Sequence, residues 1–175
     1  MSALDRLNAL PASDAERELL ACCGSREWAR RVAAARPFPD AAALLDRADT
    51  VWWELGEADW REAFRSHPRI GERKAEAGQT ERERAWSAGE QAGMNAAAEA
   101  TQRALAEGNR AYEERFGFIY IVCATGRSAD EMLALLERRL GNDPADEIRV
   151  AADEQRRITR LRLEKLLAAA ESPTP

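Results

Sequence analysis

Helix start signals recur along this chain, and they constrain its fold more than any other feature. Ser13, Thr80 and Ser128 are each followed three residues later by glutamate, which is the pattern of a capping box. Asp143 precedes Pro144, which fits an N-cap residue followed by proline at the first helical position. The stretches between these signals are rich in alanine, leucine, arginine and glutamate, all of which favour helix. The sequence therefore predicts a chain built from helices.

Three glycines, Gly24, Gly108 and Gly141, mark places where helices are expected to end. No internal repeat interrupts or organises the chain, so a solenoid is not predicted. Start and stop signals together predict helices at roughly 14–23, 25–35, 40–55, 58–66, 81–107, 128–140 and 144–169.

The stretch Phe116–Thr125 departs from this pattern, because it is rich in β-branched and aromatic residues that favour strand. The rest of the chain offers no second strand to pair with it. We therefore expect a buried extended segment or a fully buried helix here, rather than a sheet. The predicted fold class is all-α, a single compact multi-helix domain over residues 1–170, with a disordered tail at 171–175.

Charge and cysteine content exclude several classes of function. The formal net charge of -5 and the absence of a basic stripe argue against a nucleic-acid partner. No apolar run reaches the roughly 18–20 residues of a membrane span, and the first residues lack the plan of a signal peptide. The three cysteines, two of them adjacent at Cys22 and Cys23, suggest no disulfide framework, so we expect a cytoplasmic protein. With one histidine and these spacings, no metal site is predicted.

The single histidine, His67, lies where a helix must break. Pro68 lacks a backbone N–H and disfavours helical angles in the residue before it, so the helix should end at about Ser66. We expect the imidazole to have a rigid, exposed mount that faces a pocket, and histidine is well matched to proton transfer near neutral pH. The alternative is a surface or helix-terminal histidine with a local hydrogen bond.

A second candidate is the polar face that Ser87, Glu90 and Gln91 share on a predicted helix, since they stand at i, i+3 and i+4. A hydroxyl, a carboxylate and an amide there can recognise a polar ligand by its hydrogen-bonding pattern. The alternative is a solvated helix face. Gly89 and Gly93 each cost a helix about 1 kcal/mol relative to alanine, which indicates that something packs close to this face.

Two further places are weaker candidates. Arg162 stands four residues from both Ile158 and Leu166, so it interrupts an apolar stripe. If it is partly buried, we expect it to bind an anion. Its alternative is a side chain that extends its charged end into water. The stretch Tyr112–Arg127 could offer backbone groups for recognition, but plain packing explains most of its side chains.

Several segments occur together in an order that resembles the OHCU decarboxylase family, the 2-oxo-4-hydroxy-4-carboxy-5-ureidoimidazoline decarboxylases of urate degradation. The resemblance covers about Leu7 to Leu167. The segments that carry it are Arg36–Phe38, Asp59–Glu72, Trp86–Gly93, Asn109 with Tyr112–Arg127, and Arg157–Leu167.

The resemblance implies a catalytic histidine at His67 and a substrate contact from Glu90, and our hypothesis is that Glu90 orients His67 or the substrate hydroxyl. The resemblance implies substrate contacts from side chains and backbone groups at Pro68, Ser87, Gln91, Ile121, Val122, Cys123 and Arg162. It also implies a homodimer that acts on a small molecule without a cofactor or metal, and our hypothesis is that His67 is the general acid/base. A helical small-molecule binding module, or a hydrolase or isomerase of a related ureido compound, stays open as an alternative.

Overall fold

The computed structural model describes residues 1–70, 85–87, 89 and 99–169, and within them the chain is helical or irregular, without strand. Residues 85–87 and 89 are helical as well. The other helices are α1 Ala3–Ala9, α2 Ala12–Cys22, α3 Arg26–Ala34, α4 Ala41–Glu54, α5 Glu57–Arg65, α6 Glu99–Phe116, α7 Ala129–Arg139 and α8 Pro144–Ala168. The predicted all-α class is confirmed. No helix in this part of the chain has the length and apolarity needed to cross a membrane.

Internal contacts divide the chain into two compact units. The first unit contains Met1–Ala63 together with the chain from Arg156 onward, and the second contains Phe64–Gln155. Both α5 and α8 contribute residues to each unit. A single domain over residues 1–170 stays a prediction, and the predicted tail at 171–175 lies outside the described residues.

Buried tryptophans form much of the core of the first unit. The indole N–H of Trp28 donates to the backbone oxygen of Ala48 at 3.0 Å, and that of Trp60 donates to the backbone oxygen of Trp52 at 3.1 Å. The rings of Trp52 and Trp60 also lie against each other, with centroids 6.1 Å apart. The indoles of Trp28 and Trp60 therefore each satisfy their one polar atom while they bury a large apolar surface.

The segment Arg36–Phe38 attaches α1 to the rest of the first unit. Arg36 Nη1 donates to the backbone oxygens of Leu7 and Leu10 at 2.5 and 2.8 Å, at the carboxyl end of α1. Asn8 and Phe38 exchange two hydrogen bonds between the Asn8 amide and the Phe38 backbone, each 2.9 Å long. The last carbonyls of a helix have no partner within the helix, and Arg36 supplies hydrogen bonds to two of them. The segment Arg36–Phe38 therefore has a structural role at the end of α1.

The core of the second unit is an aromatic cluster. Its ring centroids lie 4.6 to 6.2 Å apart. Gly117 follows α6 with a φ of +75° and donates its N–H to the backbone oxygen of Glu113 at 2.8 Å. This left-handed turn, which glycine adopts easily, lets residues on both sides of it enter the cluster. The members are Phe64, Tyr112, Phe116, Phe118 and Tyr120.

The strand-like segment forms neither a helix nor a strand over residues 117–124, and Tyr120, Ile121, Val122 and Cys123 are buried. The expectation of a buried segment outside any sheet is confirmed, and the alternative of a fully buried helix is wrong. Buried backbone groups need partners even without a neighbouring strand. Side chains from α7 and α8 supply partners here.

Two of the predicted helix starts are confirmed. Ser128 and Glu131 form a reciprocal capping box, in which the Glu131 N–H donates to Ser128 Oγ at 3.1 Å and the Ser128 N–H donates to Glu131 Oε2 at 2.7 Å. Asp143 Oδ1 accepts a hydrogen bond from the Ala145 N–H at 2.9 Å, at the start of α8. The Thr80 signal lies outside the described residues.

Two starts near the amino terminus were predicted incorrectly. Ser13 does not cap a helix, because α2 already begins at Ala12 with Pro11 as its N-cap residue. Helix α1 was missed altogether. It begins with a capping box between Ser2 and Asp5, in which aspartate takes the place of the usual glutamate or glutamine.

The predicted helix end at Gly108 is wrong, because Gly108 lies inside α6 and this helix continues to Phe116. A Cβ added at Gly108 would lie 2.5 Å from Cδ2 of the fully buried Leu136 on α7. The glycine therefore permits the close approach of α6 and α7 rather than the termination of a helix.

Candidate active site

The helix that precedes His67 breaks almost where the sequence predicts. Helix α5 ends at Arg65, one residue before the expected end at Ser66, and the His67 N–H donates to the Phe64 backbone oxygen at 3.2 Å. Pro68, which follows, cannot continue the helical hydrogen bonding. The prediction that the imidazole is exposed is wrong, since His67 is only 7% exposed. The imidazole is thus held inside the second unit.

The buried imidazole has a partner distant in sequence. His67 Nε2 lies 2.6 Å from Oε1 of Gln155 on α8, and Gln155 is fully buried. The alternative of a surface histidine is therefore wrong, and the side-chain contact is not local although the His67 N–H makes a local hydrogen bond at the helix end. A carboxamide oxygen only accepts hydrogen bonds, so Nε2 is the donor when Oε1 is the atom that faces it.

The residues that follow His67 and Pro68 are fixed by α6. The Arg69 guanidinium donates to both carboxylate oxygens of Glu113, with Nε–Oε1 at 2.5 Å and Nη2–Oε2 at 3.1 Å. The Asn109 amide donates to the Ile70 backbone oxygen at 3.1 Å, in a buried contact. A two-pronged ion pair and a buried hydrogen bond therefore hold this turn in one orientation.

Buried side chains also hold the segment Ile121–Cys123. The Cys123 N–H donates to Glu154 Oε2 at 2.8 Å, and the Ile121 backbone oxygen accepts from Arg139 Nη1 at 2.7 Å. In the described part of the chain, the N–H and C=O of Val122 form no hydrogen bond. Among residues 121–123, Val122 is therefore the one with neither backbone group hydrogen-bonded to a described residue.

Arg139 belongs to a buried network of polar side chains in the second unit. Its Nε donates to Glu147 Oε1 at 2.7 Å, the Tyr112 hydroxyl donates to the same carboxylate, and Asn142 Nδ2 donates to Glu147 Oε2 at 2.8 Å. Burial raises the pKa of the Tyr112 phenol far above its usual range, and burial raises the pKa of Tyr120 to about 12. Both hydroxyls therefore stay protonated. The Arg139 guanidinium also lies 4.8 Å from the centroid of the Tyr120 ring.

The structure describes only part of the predicted polar face on the helix after Thr80. Ser87 is helical and 7% exposed, so a solvated face does not describe this residue. Glu90, Gln91 and Gly93 lie outside the described residues. A Cβ added at Gly89 would meet no atom of the described residues within 4 Å, so the expectation that something packs close to this face stays a prediction.

Arg162 belongs to the first unit and is 3% exposed, so the alternative of a charged end in water is wrong. Burial has the largest effect on the Cys23 thiol and raises its pKa to about 11. The positive charge of Arg162 acts in the opposite direction and lowers that pKa. The cysteines Cys22, Cys23 and Cys123 are all free and buried, in agreement with the expected absence of a disulfide framework. In the ranges that the structure covers, no group of histidine, cysteine, aspartate and glutamate side chains could hold a metal ion.

Sequence reasoning missed Glu154 and Gln155, the two adjacent α8 residues that contact Cys123 and His67. A signal existed for Gln155, because it stands two helical turns before Arg162 on a stripe that includes Ala151 and Ile158. The reasoning that singled out Arg162 applies equally to it. Glu154 had no such signal, because its partner is a backbone N–H of a distant segment.

Comparison with known proteins gives one family and several relatives. The family model described as OHCU decarboxylase matches residues 8–164. The uric acid degradation bifunctional protein TTL of Arabidopsis thaliana is 38% identical over 154 residues, which cover 87% of this chain and 47% of that protein. The 2-oxo-4-hydroxy-4-carboxy-5-ureidoimidazoline decarboxylase of Amia calva is 39% identical over 66 residues, 38% of either protein. The chain thus spans about half the length, or less, of these two relatives.

Solved structures show the same fold. A crystal structure of an OHCU decarboxylase in the presence of (S)-allantoin superimposes with a TM-score of 0.75 and 35% sequence identity. The match covers 86% of this chain and 97% of that one. A crystal structure of an (S)-allantoin synthase gives a TM-score of 0.70 at 16% identity, covering 94% of this chain and 53% of that chain, which is a likeness of fold alone.

Proposed function

The chain belongs to the OHCU decarboxylase family, and on that premise we propose that it converts 2-oxo-4-hydroxy-4-carboxy-5-ureidoimidazoline to (S)-allantoin in urate degradation. One observation carries the proposal, namely a family match over residues 8–164 that includes the buried His67. The likeness to an OHCU decarboxylase solved in the presence of (S)-allantoin supports it, because the match covers nearly all of that chain.

The reaction needs a proton-transfer group more than it needs a cofactor. Loss of carbon dioxide leaves an electron pair on the ring carbon, and the adjacent carbon–nitrogen unsaturation of the substrate can accept that pair. His67 acts as the general acid/base, first taking a proton from the ring hydroxyl and then delivering one to a single face of the ring. A positioned group of this kind typically contributes about 10²–10⁴-fold to the rate.

The other proposed roles divide between side chains and backbone. Glu90 orients His67 or the substrate hydroxyl, while Ser87 and Gln91 recognise the ureido and ring amide groups by hydrogen bonds. Pro68 lies beside the substrate. These assignments rest on the resemblance, and the burial of Ser87 is compatible with a role inside a site.

Backbone groups of Ile121–Cys123 hold the plane of the imidazoline ring in this proposal. The Cys123 N–H already donates to Glu154, and the Ile121 oxygen already accepts from Arg139, so Val122 takes the central part. A carbonyl has two lone pairs, so Ile121 retains the capacity for one further hydrogen bond.

The role of Arg162 as partner of the substrate carboxylate also stays a proposal from the resemblance. A group that binds the departing carboxylate too tightly would stabilise the ground state and slow the reaction. We further propose a cytoplasmic homodimer that acts on this small molecule without a nucleic-acid partner.

A coupled assay tests the proposed activity. The unstable substrate is generated from urate with urate oxidase and hydroxyisourate hydrolase, and circular dichroism follows the product. Rapid growth of the (S)-allantoin signal, absent without this protein, is the expected result. Slow racemic product at the uncatalysed rate would instead favour a small-molecule binding module. A different product would favour a hydrolase or isomerase of a related ureido compound.

A further inference from the structure

The contact between His67 and Gln155 determines which imidazole nitrogen carries the proton. Nε2 and Oε1 lie 2.6 Å apart, and both side chains are buried, His67 at 7% exposure and Gln155 at 0%. A carboxamide oxygen offers lone pairs and no proton, so Nε2 must be the donor. In the neutral ring the lone pair then lies on Nδ1, because neutral imidazole has one donor and one acceptor nitrogen.

We propose that Gln155 is a positioning residue, which holds His67 in the Nε2–H tautomer and so makes Nδ1 the nitrogen that exchanges protons with the substrate. The tautomer is a property of the contact between His67 and Gln155 and does not depend on the reaction. Only the catalytic consequence rests on the proposed decarboxylase function.

Both partners are fixed independently of each other. On the histidine side, the His67 N–H donates to Phe64 O, and Pro68 restricts the backbone on the other side. On the helix side, the neighbouring Glu154 is held by the Cys123 N–H at 2.8 Å. The ring and its acceptor therefore face each other because two separate segments of the second unit are each held in place.

A neutral amide suits this task better than a carboxylate. When Nδ1 accepts a proton, the ring becomes an imidazolium with both nitrogens protonated, and the Nε2–H bond to Gln155 remains intact. When Nδ1 returns the proton to the substrate ring, the neutral Nε2–H tautomer is restored. The cycle balances without any change at Gln155, whereas a carboxylate at Nε2 would favour the charged imidazolium and oppose the return of the proton. Because both ring nitrogens are then assigned, Glu90 takes the second of its two proposed roles and orients the substrate hydroxyl.

The chain offers an unusually direct measurement, because His67 is its only histidine. An untagged protein labelled with ¹⁵N-histidine gives one imidazole in a long-range ¹H–¹⁵N spectrum, with no assignment needed. In the pH range where the ring is neutral, we expect a protonated Nε2 and an unprotonated Nδ1. The opposite tautomer would mean that the Gln155 amide group faces the ring, and it would overturn the proposal.

Three variants test the part that Gln155 plays. Gln155→Met removes the carboxamide and conserves most of the volume, whereas Gln155→Glu retains an oxygen acceptor. Arg149→Met is the matched control, since it introduces the same residue at an exposed position of the same helix. We expect the Nε2–H tautomer in wild type, Gln155→Glu and Arg149→Met, and a mixture of tautomers in Gln155→Met. A folded Gln155→Met that keeps the wild-type tautomer would contradict the proposal.

Steady-state kinetics separate positioning from mere structural support. Gln155→Met should lower kcat by about 10-fold or more and leave KM nearly unchanged, because the ring then divides its population between tautomers and orientations. Arg149→Met should match wild type. If wild type shows the Nε2–H tautomer but forms no (S)-allantoin, the proposed function fails and the tautomer assignment stands. If Gln155→Met does not fold, the wild-type spectrum still decides the tautomer.

Discussion

Arg139 and Glu147 are buried charges whose hydrogen bonds reach the segment proposed to hold the substrate. Arg139 is 3% exposed and Glu147 is fully buried, and Arg139 also donates to the Ile121 backbone oxygen. Such a pair contributes less to stability than its geometry suggests, because both charges lose their hydration on folding. The main effect of the pair is to hold the Ile121 backbone oxygen in position.

Removing one member of this pair should be more harmful than removing both. Arg139→Met leaves the Glu147 carboxylate buried without its counter-ion, at a cost of about 3–5 kcal/mol in the free energy of unfolding. The double variant Arg139→Met with Glu147→Met should recover much of that loss. Urea unfolding of the wild type, both single variants and the double variant measures the coupling. Strictly additive effects would show that the two charges do not depend on each other.

Cys23 should make the protein sensitive to alkaline pH. Burial raises the pKa of its thiol from 9.0 to about 11, so the folded state keeps this proton at pH values where the unfolded state loses it. The contribution of this protonated thiol to the free energy of unfolding is therefore complete below about pH 9 and is lost as the pH rises toward 11. Over that window, Cys23→Ala should flatten the fall in unfolding free energy by up to about 1.4 kcal/mol per pH unit. Equal slopes in both proteins would exclude this role for Cys23.

The sequence located His67 correctly but could not identify its environment. The break at Pro68 follows from local backbone chemistry, which a sequence contains. The partner Gln155 depends on how α8 packs in the second unit, and local signals do not encode such a contact. The same limit explains why an exposed histidine was expected where a buried one is found.

At the scale of elements, the packing of α6 on α7 depends on one glycine. A Cβ at Gly108 would lie 2.5 Å from Leu136 Cδ2 and 3.3 Å from its Cγ. Since Leu136 is fully buried, it has little room to move away. Glycine therefore sets how closely these two helices approach.

Substituting this glycine should destabilise the protein although alanine favours helix. We expect Gly108→Ala to lose about 1–2 kcal/mol of unfolding free energy, because the overpacking cost exceeds the gain in helix propensity. Gly89→Ala is the matched control. It lies in a helix with open space around the added Cβ, so it should be neutral or gain up to about 1 kcal/mol.

A double variant tests whether Leu136 is the cause of the cost at Gly108. In a Leu136→Ala background the clashing methyl group is absent, so Gly108→Ala should cost much less than it does in wild type. Thermal unfolding of the four proteins gives this coupling. An unchanged cost would mean that the glycine acts through something other than Leu136.

Local capping signals predicted two helix starts directly, whereas the glycine signal at Gly108 was misleading. The Ser128–Glu131 box and the Asp143 cap are formed by side chains three or fewer residues from their partners, so the sequence reveals them directly. Gly108 shows the opposite case. Glycine terminates some helices and permits close packing in others, and only the neighbouring helix distinguishes the two.

For the whole molecule, helix-forming composition and capping signals were enough to predict an all-α fold. The division into two units was not predictable, because it depends on contacts between residues far apart in the chain. The segment Phe116–Thr125 has strand propensity, yet buried side chains satisfy part of its backbone instead of a neighbouring strand. Propensity describes the local preference there, and packing decides the outcome.

The most direct test of the account compares wild type with His67→Asn in the coupled circular dichroism assay. Asparagine retains a donor for the Gln155 oxygen, so the variant should fold, as far-ultraviolet circular dichroism and thermal unfolding can verify. We expect the rate of (S)-allantoin formation to fall by about 10²-fold or more in the variant. A folded His67→Asn protein that forms (S)-allantoin at the wild-type rate would contradict the assignment of His67 as the general acid/base.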